Sequence, residues 1–156
     1  MKPEDIVLPP AAHEALVRQS CEAIILAGRD GRIRLWNRGA QALFGFGETE
    51  ALGASLDLII PERFRRAHWH AYERAFAAGA VAHPGEVRLT RALHKDGRRL
   101  YVEMSFDLVH ADDGTIIGAV AVARDGSERY ALQQALRGPA EGQGQQPAGQ
   151  GPGGAG

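Results

Sequence analysis

Cysteine is almost missing from this chain. Cys21 stands alone among 156 residues, which excludes an intramolecular disulfide and a cysteine-based zinc site. An excess of charge of either sign is missing too. Eighteen Lys and Arg against nineteen Asp and Glu leave a net charge of -1, which removes the general electrostatic ground for binding nucleic acid or an anionic membrane. No apolar run approaches the roughly 18 residues of a spanning helix, so no membrane segment is expected. Met1 to Pro10 carries Lys2, Glu4 and Asp5 without an apolar stretch or a small-residue cleavage site, which argues against a secretory leader and for a cytoplasmic location. Catalytic signatures are lacking as well: nothing pairs a nucleophile with a base, cradles phosphate in a Gly-rich loop, or clusters acids for a metal. A non-enzyme is expected.

What is present suffices for one domain. Hydrophobic residues make up 44% of the chain. Residues 1–17 read as a partly helical N-terminal extension, 18–125 as the domain, and 126–137 as a closing helix. Residues 138–156 are rich in Gly, Pro and Gln, with nothing apolar larger than alanine to bury, and read as a disordered tail.

Inside the domain, Glu22 to Ala27 and the alternating Arg32 to Trp36 flank a Gly-Arg-Asp-Gly turn and predict a β-hairpin. Asn37 caps a short helix ended by Gly45, and Thr49 caps another turn before Gly53. Ile59-Ile60-Pro61 opens the strongest helical segment, Glu62 to Ala78, stopped by Gly79. Three extended segments follow, Glu86 to Leu93, Arg99 to Val109 and Thr115 to Ala123, joined by Lys95-Asp96-Gly97 and Asp112-Asp113-Gly114. Ser127 caps the last helix, which runs to Arg137. The class is α+β: an antiparallel five-stranded sheet with short helices and one long helix packed on one face.

That order, with Gly-Arg-Ile-Arg-Leu-Trp-Asn at 31–37, Ala-Leu-Phe-Gly at 42–45, Lys-Asp-Gly at 95–97 and Arg-Asp-Gly-Ser-Glu-Arg at 124–129, resembles a PAS sensor domain over nearly all of the folded part. Flavin photochemistry of the LOV kind needs a cysteine in a mid-domain helix. Cys21 lies in the wrong element and reads as a small buried residue at a strand start. Pro61-Glu62-Arg63-Phe64-Arg65-Arg66-Ala67-His68 is similar to the helix of FixL-type haem PAS domains. This resemblance implies haem b, with His68 on the iron, Arg74 and His83 toward the propionates, Arg88 as distal arginine, and Met104 on the distal wall. It implies a sensor of O2, CO or redox state. The output expected of such a sensor is a C-terminal helix, a homodimer interface or a signalling partner in trans.

The residues supply their own tests. On a helix, His68 shares a stripe with Phe64, Ala71, Tyr72 and Ala75, while His70 falls among Arg63, Arg66, Glu73 and Arg74. Only His68 is aimed inward, either as a ligand or as a core histidine bonded to a backbone carbonyl. Strict alternation from Leu100 through Val102, Met104, Phe106 and Leu108 turns Met104 and Phe106 inward, as wall, ligand or plain filling. Parity in Val87-Arg88-Leu89 turns Arg88 to water. A cofactor-free module for dimerisation and protein interaction is the alternative, and free volume between His68 and Met104 separates the two.

Overall fold

The computed structural model describes Lys2 and residues 6–138, so the tail expected from 138 onward lies almost wholly outside the described residues. Helix α1 spans Pro10–Gln19 and leads into a hairpin of β1, Ala23–Ala27, and β2, Ile33–Trp36. Helices α2, Arg38–Phe44, and α3, Glu48–Ala51, follow, then a single 3-10 turn at Leu56–Leu58 and the long helix α4, Glu62–Ala78. Strands β3, Arg88–Leu93, β4, Arg99–His110, and β5, Ile116–Asp125, complete the sheet, and α5, Ser127–Arg137, closes the chain. The strands lie in the order β2-β1-β5-β4-β3, and every pairing is antiparallel. The expected α+β class and sheet are therefore present.

Alternation decides the inner face. Along β4, Val102 and Leu108 are buried, Leu108 opposite Ala119 of β5, while Asp107 faces water. Trp36, Phe44, Ile25, Ile33 and Val102 are the largest fully buried side chains. Trp36 sits 5.4 Å from the Phe44 ring, and its indole N–H donates to the Phe46 carbonyl at 2.9 Å. Asn37, the one buried polar residue among the described residues, is fully bonded. Its oxygen accepts from Ala40 N at 3.0 Å, capping α2, and from Ile24 N at 2.8 Å, while its amide donates to the Val17 and Glu22 carbonyls at 2.9 Å each. One side chain thus joins the end of α1, β1 and α2.

Gly45 ends α2 with φ of 82°, and a Cβ there would meet the His94 ring at 2.5 Å. His94 is accordingly half-buried.

Several expectations are corrected. Thr49 lies inside α3, whose cap position is Gly47, with the Glu50 carboxylate accepting from Gly47 N at 2.7 Å. Gly126, not Ser127, precedes α5; Asp125 Oδ1 accepts from Ser127 N at 2.7 Å instead. Gly126 is required there because a Cβ would meet Leu89 at 2.6 Å and the backbone of Val102 and Glu103 at 3.0 Å. Cys21 is exposed, since the strand begins only at Ala23.

Candidate functional site

Between α4 and the inner face of the sheet lies a cavity of about 150 Å³. Its floor owes its depth to small side chains: Ala119 and Ala121 on β5, Ala27 on β1 and Ala92 on β3 stand where larger residues would fill the layer. Ile25, Met104 and Phe106 complete the sheet side, and Leu56, Ile59, Ile60, Phe64 and His68 close the other. Thr90, exposed on the edge strand β3, marks the rim. The sequence signal for this space was alanine at every second position from 119 to 123, which reading for chemistry-bearing residues passes over.

His68 reaches the cavity because α4 turns the 64–68–72 stripe inward; Phe64 and His68 line it, and Tyr72 is buried beside it. Ala71, expected on that stripe, is exposed, as is His70. The imidazole packs edge-on to Trp69, centroids 4.8 Å apart, and lies 5.6 Å from the Tyr72 ring. Trp69 is held in turn by its N–H donating to Asp57 Oδ1 at 2.8 Å, and by Gly31, whose missing side chain leaves the room the indole takes. Arg65 approaches the same carboxylate at 3.8 Å. No protein group bonds to the buried Nδ1 of His68, and among the described residues it is the one buried side-chain nitrogen or oxygen so left. Burial pushes the His68 imidazole below the usual histidine value, and the nearby Asp57 carboxylate offsets only part of that. The ring is neutral near pH 7.

Tyr72 is 3% exposed and donates its hydroxyl to the Gly28 carbonyl at 2.6 Å. Burial pushes its phenol up to about 12, helped by the Asp30 carboxylate. Its ring stands 6.0 Å from Phe106. Tyr72 is therefore a strut behind the site and not part of the cavity wall.

The remaining expected residues do not converge there. Arg74 is exposed on the flank of α4. His83 is exposed and lies 3.7 Å from the Glu86 carboxylate. Arg88 is exposed too, as parity required, and donates to Glu86 at 2.9 Å. The parity argument itself is corrected, however. Arg88 pairs with Met104 across the ladder and so shares the inner face, whereas Leu89 lies on the outer face against Gly126. Arg88 does not line the cavity, and the three supposed outer contacts of a porphyrin are solvated.

The outer face of β4 carries α5. Gly126 N donates to the Tyr101 carbonyl at 2.8 Å, Tyr130 stacks on Tyr101, and Arg129 meets the half-buried Glu103 at 3.1 Å. One strand thus holds the cavity wall on one side and the closing helix on the other.

The donor set suits haem. His68 is an imidazole on a rigid helix with Nδ1 unpartnered, and Met104 offers a thioether from the sheet. The volume does not suit it. Pockets for sizeable organic ligands run roughly 300–1,000 Å³, and a porphyrin belongs to that class, not to a space of about 150 Å³. A bare metal ion is no better served: no group of three or more His, Cys, Asp or Glu is placed to hold one among the described residues.

The fold defines an α+β module with an apolar cavity between α4 and the inner face of the sheet. The PAS fold family matches residues 17–131, and the chain belongs to it. The oxygen sensor protein DosP of Escherichia coli is 23% identical over 121 residues, 78% of this chain; the chain spans only 15% of that sensor's length. Among solved structures, an RNA-binding light-oxygen-voltage receptor is 21% identical at a TM-score of 0.69, covering 88% of this chain and 40% of that one. A PAS domain from Colwellia psychrerythraea is 21% identical at a TM-score of 0.61, covering 74% and 94%. PAS domains are typically sensory rather than catalytic, and members of the family bind cofactors such as haem or flavin. No helix among the described residues is long and apolar enough to cross a membrane.

Proposed function

We propose that this chain is the sensing module of a signalling protein, and that its ligand sits in the α4 cavity against His68. One observation carries the reading: a buried imidazole nitrogen without a partner beside an apolar space. Such a group left unsatisfied costs about 1–3 kcal/mol, which a ligand that bonds it returns to the bound state. Occupation would reset the packing of Met104 and Phe106, and β4 would pass the change to α5.

Haem b with O2 or CO as the detected gas is the ligand that the resemblance implies, and the likeness to DosP, an oxygen sensor, supports it. The His68 and Met104 pair would hold the iron, which would supply gas binding. The volume weighs against it, so the geometry favours a smaller guest. The absorption spectrum of protein purified from haem-sufficient cells decides between them. We expect no Soret band. A band that shifts with carbon monoxide and disappears in His68→Ala would assign the cavity to haem.

A second reading, a cofactor-free module for homodimerisation or for a partner in trans, is favoured by the two terminal helices. Neither α1 nor α5 has a buried residue, and Leu16, Leu132 and Leu136 are 60% exposed or more. Helices of ten and eleven residues gain little stability alone, and the apolar side chains that these two leave exposed would be covered by a second chain. Sedimentation across a concentration series tests it, with a persistent monomer as the contrary result.

A further inference from the structure

We propose that the cavity takes a neutral, single-ring organic molecule with one hydrogen-bonding substituent, the phenol class, whose polar group meets His68. The inference rests on the reading that His68 marks the ligand site, and it names the class of ligand.

Size comes first. Apolar cavities of about 150 Å³ accept guests the size of benzene, and this one has that volume. A bicyclic or chain-bearing molecule would have to displace wall residues from a close-packed layer. The walls then set polarity. Phe64 and Phe106 offer aromatic surface from opposite sides, and Met104 a soft, adaptable contact.

Charge excludes ionic ligands. No carboxylate and no lysine lines the space. Arg91 contributes to the wall, but its guanidinium lies 5.9 Å from the Tyr101 ring, which belongs to the outer face, and gives no counter-ion within. The imidazole is itself uncharged near neutral pH, because burial disfavours the cation. An anion or a cation would therefore enter without a partner, at a desolvation cost that a small ligand cannot offset. A neutral hydroxyl or amine loses nothing: as donor or acceptor it satisfies the unpartnered imidazole nitrogen.

The test uses the full chain labelled with nitrogen-15, titrated separately with phenol, benzene, benzoate and haemin. Phenol is expected to bind at one site, with amide shifts concentrated at His68, Met104 and Ala121. Benzene should bind there about tenfold more weakly, the usual cost of leaving a buried polar group unsatisfied, and benzoate not at all. His68→Leu should reduce phenol to the affinity of benzene. Ala121→Phe should abolish both while preserving the far-ultraviolet circular dichroism of the parent, with Ala119→Leu as the substitute should that variant not fold. Shifts elsewhere, binding that survives both cavity-filling variants, or indifference to phenol and benzene would overturn the proposal. Haemin giving a His68-dependent Soret band without any phenol response would overturn the ligand class yet keep the site. Silence at His68 toward all four probes would remove the site as well.

Discussion

Tyr130 of α5 lies flat on Tyr101 of β4, ring centroids 3.6 Å apart and planes 11° from parallel. This pair, with the Arg129–Glu103 contact at 3.1 Å, is what docks a helix that buries no residue of its own. Tyr130→Ala should cost about 1 kcal/mol of global stability, as aromatic pairs do. The larger effect should be local: amides of residues 127–137 should exchange several-fold faster, while those of β4 and β5 stay protected. Unchanged exchange in α5 would show that other contacts hold it.

Asn37 joins three elements through four hydrogen bonds. Asn37→Ala strands four backbone groups and removes a helix cap, so a loss of about 2–4 kcal/mol is expected in urea denaturation. Asn37→Asp keeps the acceptor but not the donors and should fall between the two. Equal stability of Asn37→Ala and the parent would contradict the hub.

Tyr72 ties α4 to the β1–β2 turn through the Gly28 carbonyl. Its folded value of about 12 lies above the ordinary tyrosine value of 10.0, so the unfolded chain loses this proton first as pH rises. The corresponding stability is complete below pH 10 and is lost toward about pH 12. Tyr72→Phe should destabilise by about 1–2 kcal/mol at neutral pH and flatten this alkaline decline. A decline as steep as the parent's would place its origin elsewhere.

His68 runs with the opposite sign. Its folded value lies below 6.5, so the unfolded chain binds the proton first as pH falls. Stability should be full above about pH 6.5 and decrease below it as protonation of the buried ring becomes the reward for unfolding. Thermal unfolding of the parent and of His68→Phe between pH 4.5 and 7.5 checks this. The variant should lose part of the acid slope, and parallel curves would refute the assignment.

Much of the fold was legible because local chemistry and global fold agree: the Asn37 cap, the Gly45 stop, the phase of α4 and the alternation of β4 all point one way. The inward aim of His68, Met104 and Phe106 followed from the same periodicities, which tertiary contacts do not override. What escaped was set across the sheet. Parity with Val87, which precedes the strand, points Arg88 to the wrong face; only pairing with Met104 reveals the face it shares. Gly126 displaced Ser127 at the start of α5 because of Leu89, Val102 and Glu103, none of them near in sequence. The cavity escaped because alanines carry no chemistry, and only their stacking on adjacent strands, Ala121 between Ile25 and Phe106, leaves a void.

Strand β4 is a partition one backbone thick. In the function proposed above, a guest that shoulders Met104 or Phe106 aside would bend the same ribbon on whose reverse Tyr101 and Glu103 grip the departing helix. Such a guest and the helix it signals to would be separated by that one backbone, and no relay of intermediate residues would be needed to couple them.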